Sequence, residues 1–556
     1  MQDDKRNLYI LLVVCIMILG TLISLFFFKG VSVYGDDFDY PEFVPQILAG
    51  TFSESLNIFS IRLLMDYPLA LFIGLLGYNN AGAAAYTLLC SIATIPVVYL
   101  IGASTKDRNA GVISAALFSF YPLILKFNTS DSPMAPLLLF LSVSLLLFIY
   151  GKKKNNAKYF FAAGAANFLG ALINPLAFLY SLFFGLYIVY SESVRLMHHK
   201  KLDLKILVFF IGFFAAVNIT GFANIFLANG NPYYELFFTN YYYQAAGNPY
   251  EIFYTNPSLT FYIGGYFPYH FTSIALSMLS LNLKNAYIQA TGTLASIFSI
   301  SQLNVNDVGL FPYAMLLGGI YVAAKKDKNT FFILGAAVFL VLYMEFGTMS
   351  ITHYFPIYKL MRFTVIASVP EICVLGYALS DLIERPHGRE ARILAVFLVL
   401  ALLLVTSLPI DYYYQQLNYN TMVYVRLMAN ALMPVIKANP QNATYIYGPA
   451  LIPYYLIYYL GYPKNVFYFE YGTGAYGSTY IQNCTSINNN SYVIVPSPEA
   501  LSQINSYNLW DVNESWAFNP GSCASLEPYK NIYAEYQNPN PYVQNLENSG
   551  NIYYKR

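Results

Sequence analysis

Four carboxylates fall within seven residues in the segment Gly35-Asp36-Asp37-Phe38-Asp39-Tyr40-Pro41-Glu42, just after an uncharged apolar run over residues 8–28. Charge beside hydrocarbon is costly, so ionisable groups there are candidates for function. Asp39 and Glu42 have capping-box spacing, with Asp39 as N-cap and Glu42 three residues on. A short helix along the membrane surface would follow, distorted by Pro45 and closed by Gly50. That leaves Asp36 and Asp37. Adjacent carboxylates can serve as a general base and as a substrate or metal ligand, or they can simply lie in a solvated loop. Together with Asp39 they could hold a divalent cation.

Cations come next. Arg62, Lys126, Lys359 and Arg362 fall in segments expected on the same membrane face as Asp36, Asp37 and Asp131. Each alone reads equally as an interfacial side chain reaching for water. As a set they could hold an anion. His353, beside Tyr354, Phe355 and Pro356, is either a ligand or a packing residue. Glu371 follows Pro370 inside an expected helix, where it is either functional or fills the backbone gap that the proline leaves.

The elements that must position these groups are membrane helices. Charged residues make up 11% of the 556-residue chain, and mean hydropathy is +0.46. Several runs of about 18 or more apolar residues exclude a soluble enzyme. A net charge of +1 gives no electrostatic case for a nucleic-acid partner. Eleven helices are expected near 8–28, 80–103, 109–127, 133–150, 158–173, 175–190, 205–228, 308–324, 329–346, 361–382 and 391–409. Asn174-Pro175 splits one long apolar stretch, with Asn174 as cap and Pro175 in the first turn. The first run lacks a small-residue cleavage site and reads as a retained helix rather than a signal peptide.

With the N-terminus inside, inner segments hold 18 of the 30 Lys and Arg, and the outer loops before residue 410 hold six. This bias satisfies the positive-inside rule and turns the acidic cluster outward. The expected domains are a multi-pass unit over 1–409, with outer loops 29–79 and 229–307, and an extracytoplasmic mixed α/β domain over 410–556. Within that tail Ser491–Pro496 reads as a strand, and Asn442, Asn483, Asn489 and Asn513 begin N-x-S/T sequons. Cys15, Cys90 and Cys373 read as small apolar filler in helices. Cys484 and Cys523 could form a disulfide in an extracytoplasmic tail.

Asp36-Asp37-x-x-Tyr40-x-Glu42 resembles the Asp-Glu-x-x-Tyr-x-Glu segment in the first outer loop of the GT-C superfamily of membrane glycosyltransferases. The protein O-mannosyltransferases and lipid A aminoarabinose transferases are the nearest in pattern. Asp66-Tyr67-Pro68-Leu69 with Leu76-Gly77 resembles the run leading into their second helix. Lys126-x-x-x-x-Asp131, ahead of Pro136–Phe140, resembles an Arg-x-x-x-x-Asp element between helices three and four, with Lys in place of Arg. Arg362-Phe363 with Pro370 resembles an Arg-Tyr segment opening a late helix. The resemblance is strongest over residues 8–190. It implies transfer of a sugar from a polyprenyl-phosphate donor to a hydroxyl of a protein, lipid or glycan at the outer face, with inversion. It further implies that Asp36 acts as base, that the cations steady the phosphate, and that no metal is needed.

Two other readings stand beside it. An oligosaccharyltransferase shares the layout, but Trp510-Asp511-Val512-Asn513 is not that family's Trp-Trp-Asp-x-Gly acceptor motif. A transporter or non-catalytic scaffold would make Glu371 a coupling group, but the chain shows no inverted repeat or matched pair of broken helices.

Overall fold

The computed structural model describes residues 2–26, 30, 39–53, 60–199, 202–227, 311–326, 328–346, 361–384, 390, 393, 397, 425–426, 428–438, 440–449, 452–471, 491–496, 526–531 and 550–555. Two compact units emerge. One comprises Met1–Phe28, Gln46–Ala70 and Ala84–Gln415; the other comprises Lys29–Pro45, Leu71–Ala83 and Gln416–Arg556.

In chain order the helices are α1 (Gln2–Phe26), α2 (Asp39–Leu48), α3 (Leu63–Leu76), α4 (Asn80–Thr105), α5 (Arg108–Phe120), α6 (Pro122–Asn128), α7 (Met134–Lys154), α8 (Ala157–Ala171), α9 (Phe178–His199), α10 (Leu204–Leu227), α11 (Phe311–Lys325), α12 (Lys328–Phe346), α13 (Met361–Glu384) and α14 (Ile452–Leu460). Among the described residues six helices are long and apolar enough to cross a membrane, or seven if the bent α5–α6 pair counts as one span. The expected eleven spans are therefore not all found. The helices over 158–173, 308–324 and 329–346 are present but fall outside the six, and 391–409 lies almost wholly outside the described residues.

Two local corrections have clear causes. The expected helix 109–127 breaks by 58° at Tyr121-Pro122. A residue before proline is pushed out of the helical region, and Tyr121 sits at φ −70, ψ 121. Pro122 then opens α6, where its missing N–H costs nothing. The second correction is α3, which occupies part of the segment expected as an outer loop over 29–79. Its 14 residues rise only about 21 Å, too short to span hydrocarbon of about 30 Å.

Other expectations hold. Gly50, at φ +69, closes α2. Asn174 is extended and its Oδ1 accepts from the Leu176 N–H at 3.0 Å, opening a short 3-10 turn (Pro175–Ala177) ahead of α9. Cys90 and Cys373 are buried and free, whereas Cys15 is free and exposed.

The helical core is aromatic at one end and small-residue elsewhere. Phe148 stacks on Phe184 at 4.6 Å and on Phe332 at 5.3 Å, joining α7, α9 and α12. The α8–α10 crossing is closer than a side chain allows. A Cβ on Gly164 would lie 1.9 Å from the Phe209 carbonyl oxygen, and one on Gly212 would lie 1.9 Å from that of Phe161. Such small-residue contacts let helix backbones approach where no hydrophobic force between helices exists.

Two helix-interior prolines free a carbonyl four residues back, and a tyrosine from another helix takes each one. Pro68 leaves the Leu64 oxygen without its helical donor, and Tyr86 Oη donates to it at 2.7 Å. Pro370 does the same to Ile366, and Tyr180 Oη donates at 2.8 Å. Glu371 therefore does not fill the gap at Pro370, because Tyr180 does.

The α4–α5 corner and the C-terminal ends of α11 and α13 meet in an ion network. Lys106 Nζ reaches Glu384 at 2.9 Å, Asp107 at 3.1 Å and Asp381 at 3.9 Å, while Lys325 pairs with Asp381 at 2.9 Å. Asn109 donates to Glu384 at 2.8 Å and accepts from Tyr9 of α1 at 2.8 Å.

The second unit holds a five-stranded sheet of β1 (Thr444–Pro449), β2 (Val466–Tyr471), β3 (Ser491–Pro496), β4 (Leu526–Asn531) and β5 (Gly550–Lys555), in the order β2-β1-β3-β5-β4. β1 runs parallel to β2 and β3, and β5 is antiparallel to β3 and β4. α14 is the crossover between β1 and β2, as parallel pairing requires. In the same unit Tyr458 of α14 donates to the Asn79 carbonyl at 2.8 Å, and its ring lies edge-on to Tyr78 at 5.6 Å.

Candidate functional site

Arg62 stands just ahead of α3, and its carbonyl accepts from the N–H groups of Met65 at 2.7 Å and Asp66 at 2.9 Å. This fixes two ionisable residues one turn apart at the start of a largely apolar helix. Arg62 is 9% exposed and Asp66 is fully buried. Neither carboxyl oxygen of Asp66 has a hydrogen-bond partner, so the guanidinium one turn away does not bond to it. Burial pushes this carboxyl well above the usual carboxylate range, and the Arg62 charge opposes that only in part.

The turn from α6 into α7 is the second polar element. Lys126, Asn128, Thr129, Ser130, Asp131 and Ser132 are all buried, in a chain whose interior is otherwise mostly apolar. Lys126 Nζ stands 5.8 Å from the centre of the Phe127 ring, within cation–π range. Asn128 Nδ2 donates to Ser24 of α1 at 2.8 Å. Asn128 Oδ1 and the hydroxyls of Ser130 and Ser132 are buried without a partner. Buried polar atoms are nearly always paired, so a run of exceptions is unusual.

α4 brings these elements together. Tyr86 holds α3 through the Leu64 carbonyl, and the next residue, Thr87, lies 2.5 Å from the Ser130 carbonyl and 3.3 Å from that of Asn128. Tyr67 of α3 also reaches the Leu227 carbonyl at the end of α10, at 2.5 Å. About 19 residues of α4 separate Thr87 from the Lys106 network, or roughly 28 Å. The polar turn and the ion network thus sit at opposite ends of the helix.

Two cations, two carboxyl groups and several hydroxyls are what an anionic, hydroxyl-rich ligand requires. Of the expected site residues, Arg62, Lys126 and Asp131 lie in these neighbouring elements. Asp36, Asp37, His353 and Lys359 lie outside the described residues, as do Cys484 and Cys523. Arg362 lies on the first turn of α13, and its side chain is outside the description. Among the described residues no group of three or more His, Cys, Asp or Glu could hold a metal ion. Asp66 carries a sequence signal of its own, a carboxylate within an apolar run.

Residues 63–219 match the model of the dolichyl-phosphate-mannose-protein mannosyltransferase family. That segment contains α3, α4 and the polar turn. No curated protein matches the chain. Among solved structures, the apo form of ArnT from Cupriavidus metallidurans aligns at a TM-score of 0.53 and 12% identity, covering 99% of this chain and 98% of that one. The apo oligosaccharyltransferase of Archaeoglobus fulgidus aligns at a TM-score of 0.51 and 12% identity over 81% of this chain. The chain spans 64% of that protein's length. At such identity these likenesses establish a fold. Residues 63–219 thus resemble the dolichyl-phosphate-mannose-protein mannosyltransferase family, and the chain shares the polytopic helical membrane fold of the ArnT structure.

Proposed function

We propose that this protein transfers a sugar from a polyprenyl-phosphate carrier to a hydroxyl acceptor at the outer face of the cell membrane. The observation that carries the reading is the buried polar turn Lys126–Ser132, set inside the segment matched to a family described by a dolichyl-phosphate-mannose donor. The acceptor oxygen attacks the anomeric carbon as the bond from that carbon to the phosphate oxygen breaks, so configuration inverts. Asp36 takes the acceptor proton, with Asp37 beside it. Arg62, Lys126, Lys359 and Arg362 steady the negative charge that gathers on the leaving polyprenyl phosphate. Asp131 and His353 complete the substrate contacts. The acceptor is a protein, a lipid or a glycan. The N-terminus lies in the cytoplasm and residues 410–556 lie outside, as the charge bias favours.

The test compares lipid-linked sugars and glycans by mass spectrometry in a deletion strain and its complemented parent. Accumulation of a polyprenyl-phosphate sugar and loss of a glycan are expected on deletion. Unchanged pools would overturn the reading. With the acceptor identified, purified Asp36→Asn should lose transfer by about 10²-fold or more. Undiminished transfer would remove Asp36 from the role of base.

A further inference from the structure

Asp66 is a described carboxyl with both oxygens buried and unpartnered. A buried polar group left unmade costs about 1–3 kcal/mol. A structural ion pair would relieve that cost, yet the Arg62 guanidinium, one turn away, does not bond to it. A capping hydrogen bond is absent as well: Asp66 lies in the first turn of α3, yet its side chain accepts from no backbone N–H.

The chemistry of the group narrows what it can bind. Phosphate is repelled by a carboxylate and offers a protonated carboxyl little that Arg62 and Lys126 do not offer better. A divalent cation needs several ligands, and among the described residues no cluster of three or more His, Cys, Asp or Glu exists. Hydroxyl groups fit. Two oxygens on one carboxyl can take hydrogen bonds from two neighbouring hydroxyls, and a protonated carboxyl can exchange donor and acceptor roles with the same pair.

We infer that Asp66 recognises the sugar ring of the donor, binding two of its hydroxyls, while the cations of the site hold the phosphate. This rests on the proposed function and adds to it the residue that separates a sugar-bearing carrier from a bare one. Because Asp66 is fully buried, its hydrogen bonds to hydroxyls would be made out of water, where discrimination is strongest.

The experiment measures binding of two probes to the purified full-length chain: polyprenyl phosphate, and polyprenyl-phosphate mannose. Asp66→Asn should weaken the mannose-bearing lipid by about tenfold, one hydrogen bond to a charged or polarised group. It should change binding of polyprenyl phosphate by less than about twofold. Equal weakening of both lipids, or of neither, overturns the assignment of Asp66. Should wild type bind neither lipid, the proposed function falls and this inference with it. A second measurement needs no variant that must fold. Single-deoxy analogues of the mannose-bearing lipid should include at least one that binds wild type about tenfold more weakly than the parent. Asp66→Glu should shift which deoxy position matters. Analogues that all bind like the parent overturn the proposal.

Discussion

Tyr86 and Thr87, neighbours on α4, tie two separate polar elements to one helix: Tyr86 Oη meets the Leu64 carbonyl at 2.7 Å and Thr87 Oγ1 meets the Ser130 carbonyl at 2.5 Å. The start of α3 and the α6–α7 turn therefore share one support. Tyr86 has a further task, because the carbonyl it reaches is the one that Pro68 leaves without a helical donor.

Tyr86→Phe should destabilise the protein by about 0.5–1.5 kcal/mol, the net worth of one hydrogen bond. In Pro68→Ala a backbone N–H returns and can bond to Leu64, so the same Tyr86→Phe change should then cost less. Thermal unfolding of the four variants in detergent forms the cycle. An equal cost in both backgrounds would show that the tyrosine is not compensating for the proline. Tyr180 and Pro370 make a parallel cycle.

This pairing also marks the limit of the sequence. A proline inside an apolar run is visible, but its partner is not: Tyr180 meets Ile366 from far along the chain, and neither residue carries a local signal. Local signals were readable where the physics is local. Asn174-Pro175 and Gly50 do what capping and left-handed backbone require. α3 was missed because 14 apolar residues are too few to read as a span and were absorbed into a loop. Lys126 and Asp131 stand out in the sequence through the resemblance of Lys126-x-x-x-x-Asp131 to a family element, whereas the burial of both, and of Asp66, is visible only in the fold.

Gly164 and Gly212 should tolerate no side chain. A Cβ at either would meet a backbone oxygen at 1.9 Å, and a backbone cannot rotate away as a side chain can. Gly164→Ala or Gly212→Ala should cost about 1–3 kcal/mol through forced separation of α8 and α10. Gly185→Ala is the control, since the nearest atom to its Cβ would be the end of the Phe210 ring at 3.8 Å. Thermal stability in detergent decides the matter, and equal loss at all three sites would refute the close crossing.

Asp66 should make stability depend on pH. Its carboxyl is held above the range of the unfolded chain, chiefly by burial. A raised folded-state value means that the folded protein binds the proton more tightly. The resulting stability is complete below the unfolded pKa and is lost as pH rises through the folded one. Wild type should therefore lose stability relative to Asp66→Asn as pH rises from the acid range toward alkaline conditions. Melting temperatures across that range test this; parallel profiles would mean that the group does not titrate with a raised value.

Lys106 is the hub of the opposite end of the bundle. Its ammonium lies within 4 Å of Asp107, Asp381 and Glu384, and among the described residues only Asp381 has a second cation, Lys325. Removing the charge leaves carboxylates facing one another. Their side chains remain partly exposed, so solvent softens the repulsion, and Lys106→Met should cost about 1 kcal/mol rather than the several expected of a fully buried site. Adding Glu384→Gln should recover part of that loss, because one of the repelling charges goes and Asn109 can still bond to the amide. Added salt should narrow the gap between wild type and Lys106→Met by screening the same charges. If Lys106→Met melts with wild type at low salt, the network contributes nothing to holding α5, α11 and α13 together.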